Sequence, residues 1–586
     1  MSNRLDVPGA TQSEVEAAVR RYLSRVARRY SPLLVGLLVL LLVVILLPSV
    51  TPKGGSKVQS LGAGQSSAGG EVALGETSTT LGAGATGGGG GGGTGGGAAG
   101  RQIAVPKGIT AAAAAGSAGV TRSGVQCGPG VRQVPWSKYA PICVPAYQGN
   151  NGGKTAPLGV TGDTITLTFR RTNSAEEKAA FSLAAAAAPG TDDQYLSDLR
   201  AYVDLFNKNW ELYGRHVVIR DYQPQGDNLE EDQGRDLAGA QADAQKAKDL
   251  GAFADVTQSP SLAGTVPYYE DLAQVGVVGI GAIGITADWF KAHAPYEFSP
   301  IGDATKGAKA AVHALCMRSV GMPAIFAGDA VYKNQTRKYG LVAPDYPEAQ
   351  KAEDIVEEGL KRECGVHLAK RASYTIDVAR FGDEGTSLAA QMRAAGVTTV
   401  ICGCDPLIEI TFSQSADGQQ YHPEWLVTNF YDPQARQTSQ NEWSHAISGE
   451  GVNFLPRAQR ESYKVFKMAR PNAEPAEKYF DLAYQMALYT FSGLQYAGPN
   501  LNPLTFQQGM FNMARTELGD LGTWGGGPEA YTPNLDAFFG WWDPNRPSPF
   551  DGEKGTWVPC EGGRWYPFDD PSTFGPAHTQ VHCFGQ

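Results

Sequence analysis

The chain has 586 residues, 73 of them glycine, and a formal net charge of −10. An acidic balance of that size argues against a nucleic-acid partner gripped through its phosphates, and the glycines keep no three-residue period, which excludes a collagen helix. Of the 56 aromatic residues 54 lie in 136–586 and none lies between Tyr30 and Trp136, so the foldable part is one stretch of about 450 residues.

Residues 1–31 carry six Arg and three acids, leaving a charge of −13 on the remainder. Ser13 and Glu16 have capping-box spacing, and Val15, Val19, Tyr22, Val26 and Tyr30 recur at helical spacing, which predicts a basic cytoplasmic helix. Leu33 to Leu47 comes next, fifteen residues without a polar side chain between Pro32 and Pro48. The segment 32–50 therefore reads as a transmembrane signal anchor. Five Arg on its N-terminal flank place the N-terminus in the cytoplasm and the main domain outside a cell membrane, in a single pass. A cleaved signal peptide competes with this reading, but no A-x-A-like site comes after the apolar run. A twin-Arg signal at Arg20-Arg21-Tyr22-Leu23 fits the Leu-rich core poorly, and a lipoprotein is excluded because the first Cys is Cys127.

Residues 51–123 are rich in Gly, Ala, Ser and Thr, and all but Thr94 between Gly87 and Gly97 are glycine. Such a segment buries too little apolar surface to fold and reads as a disordered tether. As a coil its ends lie roughly 45 Å apart. All eight Cys lie beyond the apolar segment, as suits an oxidising compartment. Cys127 with Cys143, in the Cys- and Pro-rich segment 124–160, and Cys560 with Cys583 each close a short loop and are expected to pair. Cys316 and Cys364 sit near predicted helix ends and form a third candidate pair. Cys402 and Cys404 are too close in sequence for an unstrained bridge and read as buried thiols. No Cys or His spacing matches a zinc site, so no metal is expected.

From 161 the chain alternates strand and helix. Strands are predicted at Ile165 to Arg170, Val217 to Tyr222, Phe253 to Thr257 and Val275 to Ile280, with helices over 191–213, 234–250 and 264–274. The pattern restarts with helix 305–319, strand Tyr339 to Ala343, helix 347–364, strand 372–376, helix 385–396, strand Thr398 to Cys402, helix 407–416 and strand Trp425 to Asn429. The series predicts an α/β fold of two doubly wound, mostly parallel sheets. Ligands of such sheets bind beyond the carboxyl ends of the strands.

The order of these elements resembles the type I periplasmic solute-binding proteins, in particular the branched-chain amino-acid (leucine)-binding-like family in its membrane-anchored, actinobacterial-type form. The similarity covers 161–570. It rests on the stretch from Asp198 to Asn209 with Gly214-Arg-His-Val-Val-Ile after it, Pro267-Tyr-Tyr-Glu-Asp-Leu, Tyr339-Gly-Leu-Val-Ala-Pro-Asp-Tyr, the stretch Gln391 to Cys402, and the late helix from Tyr484 to Gly498. The resemblance implies two lobes joined by a three-strand hinge. Lobe 1 would be 161–303 plus 451–535, and lobe 2 would be 304–450 plus 536–586.

The resemblance also implies a ligand between the lobes. Ser259 and Ser261 fall where a serine and exposed amides hold a ligand carboxylate, and Gly281-Ala282-Ile283-Gly284 matches a second binding loop, with Ile283 where amino-acid binders commonly carry Thr. Tyr346 matches a pocket aromatic. Tyr431 sits near the acid that pairs with the ligand ammonium, and Asp405 or Asp432 would supply that charge instead. Each has a structural rival: Ser259 and Ser261 suit a helix cap, Tyr346 suits packing, Tyr431 a hinge contact, and Asp405 before Pro406 suits an N-cap.

Gly279, Gly281 and Gly284 satisfy G-x-G-x-x-G, but they come after the fourth strand rather than the first, and Pro295 interrupts the helix that a dinucleotide site would need next. No cofactor is expected, and no G-x-S-x-G, Walker loop or H-E-x-x-H motif points to an enzyme. The implied function is an extracellular, membrane-tethered receptor that captures a small polar solute, amino-acid- or amide-like, for an ABC-type permease. A tethered sensor of the same fold that signals to a partner without transport is the alternative.

Overall fold

The computed structural model describes residues 115–153, 159–174, 191–257, 266–428, 432–451, 455–476 and 480–585. The predicted segments 1–31 and 32–50, and 51–123 up to residue 114, lie outside them. Among the described residues no helix is long and apolar enough to cross a membrane.

A short hairpin, Gly119–Val120 (β1) with Gln126–Cys127 (β2), precedes the main fold. The first sheet comes next. Its strands are Thr164–Arg170 (β3), His216–Tyr222 (β4), Ala254–Asp255 (β5), Val278–Ile280 (β6) and Glu297–Phe298 (β7), parallel throughout in the order β4-β3-β5-β6-β7. Six of the seven β3 residues are buried without alternation, as a strand covered on both faces requires. The helix Asp192–Asn209 starts in a capping box, with Thr191 Oγ1 accepting from Gln194 N and the Gln194 side chain accepting from Thr191 N. Leu196, Leu199, Tyr202, Val203 and Phe206 form its buried stripe.

The second sheet holds Tyr339–Pro344 (β8), Lys370–Tyr374 (β9), Thr399–Cys402 (β10), Glu424–Val427 (β11), Ala446–Glu450 (β12), Asp536–Pro547 (β13) and Lys554–Pro559 (β14). The order is β14-β13-β12-β11-β10-β8-β9, with Tyr566–Pro567 (β15) beside β13. From β12 to β9 neighbours are parallel; β13 and β14 are antiparallel additions. The fold is thus α/β with two mostly parallel sheets. The chain passes from the first core to the second between Phe298 and Ala308, returns between Ala446 and Val465, and leaves again between Tyr531 and Trp542.

Differences from the sequence reading have local causes. Val275 closes the helix Val266–Val275, and Gly276 turns the chain with φ +82°, so β6 starts at Val278. The strand expected at 372–376 lies two residues earlier. The helix Pro347–Cys364 keeps its expected bounds, because Pro347 opens it and the left-handed Gly365 ends it.

Cysteines pair as Cys127–Cys143, Cys316–Cys364 and Cys560–Cys583, with Cα separations of 5.4, 5.6 and 4.7 Å. The expectation of free thiols at Cys402 and Cys404 is corrected: they form a fourth disulfide, Cα to Cα 5.0 Å. Two residues apart on an extended strand they would stand roughly 6.6 Å from each other. β10 ends at Cys402 and the chain bends through Gly403, which brings the pair within bridging range.

Candidate functional site

A cavity of about 600 Å³ opens where the carboxyl ends of strands from both sheets meet. Lobe 1 contributes Ile283 and Gly284 after β6. Lobe 2 contributes Tyr346 after β8, Cys404 and Asp405 after β10, and Thr428 and Asp432 after β11. The lobes touch across the opening. Gln233 Nε2 donates to the Ile376 carbonyl at 2.5 Å, and Thr286 Oγ1 donates to Glu348 Oε2 at 3.3 Å. Leu229 of lobe 1, 2% exposed, packs in the core of lobe 2.

Ser259, Ser261 and Tyr431 lie outside the described residues. Gly281 and Ala282 are one step too deep to face the cavity. Gly281 N donates to the Phe298 carbonyl at 3.0 Å, and Ala282 belongs to the first core. A side chain on Gly281 would collide with the Thr257 carbonyl, and one on Gly279 with the Glu297 carboxyl. These glycines of the G-x-G-x-x-G pattern are there for close packing. Tyr346 lines the cavity half-buried, and burial pushes its phenol well up.

Asp405 and Asp432 line the cavity, but their carboxylates are engaged. Asp405 Oδ1 caps the helix Pro406–Gly418, accepting from Leu407 N at 2.9 Å and Ile408 N at 3.1 Å, while Oδ2 accepts from Tyr374 OH at 2.7 Å. Asp432 accepts from Ser548 Oγ, Thr556 Oγ1 and Trp557 N at 2.5, 2.7 and 3.2 Å. Burial raises both carboxyls, and these bonds partly offset it.

The sequence reading passed over Glu353. It lies on the helix Pro347–Cys364, 8% exposed, on the stripe that also buries Ala349, Val356 and Leu360. An acid at an apolar-stripe position was the available clue. Glu353 Oε2 has no hydrogen-bond partner, and burial pushes the carboxyl up to about 7, with Arg371 pulling it down. The folded state therefore holds a proton that the unfolded chain releases near 4.5. This contribution to stability is complete below about pH 4.5 and is lost as pH rises through 7. Wild type is expected to lose about 3 kcal/mol more than Glu353→Gln between about pH 4.5 and 8. Parallel stability curves in urea titrations across that range would refute this.

Asp417, His422 and Glu442 form a separate cluster whose potential ligand atoms lie within 4.8 Å of one another. Protein donors already fill it. Asp417 accepts from Ser439 Oγ and Asn441 Nδ2, and Glu442 pairs with His422 and accepts from Trp425 Nε1. It acts as a hydrogen-bonded hub behind β11.

Two parallel α/β lobes with a cavity between their strand ends define the architecture of a two-lobed solute-binding protein. Solved structures agree. A leucine-, isoleucine-, valine-, threonine- and alanine-binding protein from Brucella ovis, in its closed conformation, matches 72% of this chain and 99% of its own at 14% identity and TM-score 0.50. A solute-binding protein of an ABC transporter from Rhodopseudomonas palustris HaA2, in complex with p-hydroxybenzoic acid, matches 70% and 100% at 12% identity and TM-score 0.50. No protein-family model matches the sequence, and no curated protein matches it. The chain has the fold of the type I periplasmic leucine/isoleucine/valine-binding-like solute-binding proteins.

Proposed function

We propose that this protein is an extracellular solute receptor, tethered to a membrane by 32–50 and the glycine-rich linker, that closes on a small solute and presents it to an ABC-type permease. The observation that carries the reading is the cavity at the strand ends, bridged by Gln233 to Ile376 and Thr286 to Glu348. Those contacts hold the lobes together, and a solute touching both lobes would favour the same arrangement. Solute-binding proteins of ABC transporters share the fold. Asp405 and Asp432 serve as a helix cap and a loop clamp, which leaves Glu353 without a second free carboxylate to form an acid–base pair and supports a binding role.

The test is a thermal-shift screen over amino acids, amides, urea-like compounds and small acids, followed by X-ray scattering. At a hundred times Kd a true ligand adds about 2.7 kcal/mol of stability, and the radius of gyration should fall with it. A screen that finds neither stabilisation nor compaction would sink the reading.

A further inference from the structure

The cavity does not stop at the cleft. Along β10 its lining runs from Cys402 back to Thr399, and along β11 from Val427 back to Glu424. Three residue steps make this roughly 10 Å deep inside lobe 2. The chamber lies on the sheet face that carries Leu341 and Ile401, under the helix Ala304–Arg318. Among the described residues that face has a core of nine buried residues, against twenty-four on the other. The reason is in the sequence. The helix Ala304–Arg318 meets Pro347–Cys364 at Val312 and Gly359 and is tied to it by Cys316–Cys364. N-terminal to that contact, beside Lys306, Glu353 and Val356, the lining side chains are small: Ala304, Ala308, Ala311, Ala349 and Ala352.

Every described charged side chain lining the chamber has a partner in the protein, charged or neutral, with one exception. Among the described residues lining it, each cation has a partner: Arg337 with Glu424 at 2.7 Å, Arg318 with Glu561, Arg460 with Asp481, and Lys306 with the carbonyls of Thr532 and Asn534 at 3.0 and 3.1 Å. A ligand carboxylate or phosphate would enter without a counter-ion, at the cost of an unpaired buried charge. The unmatched charged group is an acceptor, Glu353 through its Oε2. Gln485 Nε2, 3% exposed, is an unpartnered donor on the same lining.

We propose that the solute is an amphiphile, with an apolar aliphatic or aromatic body in the chamber beneath the helix Ala304–Arg318 and an uncharged or cationic head that donates a hydrogen bond to Glu353. This rests on the receptor reading and narrows it. The amide-like half of the ligand expectation suits the acceptor, whereas an α-amino acid brings a carboxylate that finds no free cation among these residues.

The test uses the full chain at about pH 7.5 and four probes in calorimetric titration: 1-octanol, n-octylamine, octanoate and leucine. Octanol and octylamine should bind at least tenfold more tightly than octanoate or leucine. Glu353→Gln should weaken octylamine at least tenfold and octanol less than threefold. Ala308→Phe, which fills the chamber, should abolish both while leaving the unliganded melting temperature within a few degrees; it carries the test if Glu353→Gln fails to fold. Octanoate binding as tightly as octanol, octylamine indifferent to Glu353→Gln, or octanol indifferent to Ala308→Phe would each overturn the proposal. Leucine binding with compaction while the alkyl probes do not bind would overturn it and leave the receptor intact. A chain that binds no probe and no solute of the wider screen would remove the receptor reading as well.

Discussion

Replacing Arg170 with leucine is expected to cost about 4 kcal/mol of stability. Arg170 closes β3 at 3% exposure. Its guanidinium bonds Glu231 through both terminal nitrogens, meets Asp243 Oδ2 at 2.8 Å and lies 4.5 Å from the centre of the Tyr268 ring. Leucine would leave Glu231 and Asp243 as two buried carboxylates without a cation. Glu231 already lies above the ordinary range because of burial, and only Arg170 pulls it back. The deficit should therefore shrink as the pH is lowered and Glu231, held up by burial and no longer pulled down by Arg170, takes up a proton. The triple variant Arg170→Leu, Glu231→Gln, Asp243→Asn should recover most of the loss, since it removes the stranded charges together. Urea unfolding measures all three chains, and a loss under about 1 kcal/mol for Arg170→Leu would refute the account. Function should track stability here. Glu231 belongs to the helix Asn228–Asp232, which carries Leu229 into lobe 2 and precedes Gln233, so loosening the triad should weaken closure as well.

The lobes are legible in the sequence where both faces of a strand are buried and where helices have clear punctuation. β3 reads as β-branched Thr alternating with Ile, Leu and Phe, and Pro347 with Gly365 brackets a helix to the residue. Legibility fails where tertiary pairing overrides propensity. β7 is two residues long and carries the buried Glu297, so neither length nor polarity marks it. β13 contains Pro544 and Pro547, which argue against a strand in an interior position. The register shifts between Asp543 and Pro547, and that irregularity accommodates the prolines.

The candidate site is legible in position and less so in chemistry. Strand ends and the family resemblance lead, among the described residues, to Gly281, Ala282, Tyr346, Asp405 and Asp432; the last three line the cavity, and Gly281 and Ala282, directly after β6, do not. Neither says which carboxylates remain available. Asp405 is taken by two backbone amides and a phenol, Asp432 by two hydroxyls and an amide. Glu353 carries an unpartnered carboxylate oxygen, and it sits mid-helix, where strand-end reasoning never looks.

Removing the Cys316–Cys364 bridge by a double serine substitution is expected to lower stability by about 4 kcal/mol, the chain-entropy value for its separation of 48 residues. The same substitution at Cys127 and Cys143, 16 apart, should cost about 3 kcal/mol, and at Cys402 and Cys404, 2 apart, much less. That ranking is the discriminating result, because a bridge acting through local packing alone would not scale with loop length. Thermal melts under oxidising conditions would show it, and equal shifts for all three pairs would contradict the entropic account. Only the first pair joins the two helices that wall the chamber. Its loss should therefore weaken 1-octanol binding at temperatures well below unfolding, whereas loss of Cys127–Cys143, which closes a loop outside both sheets, should not.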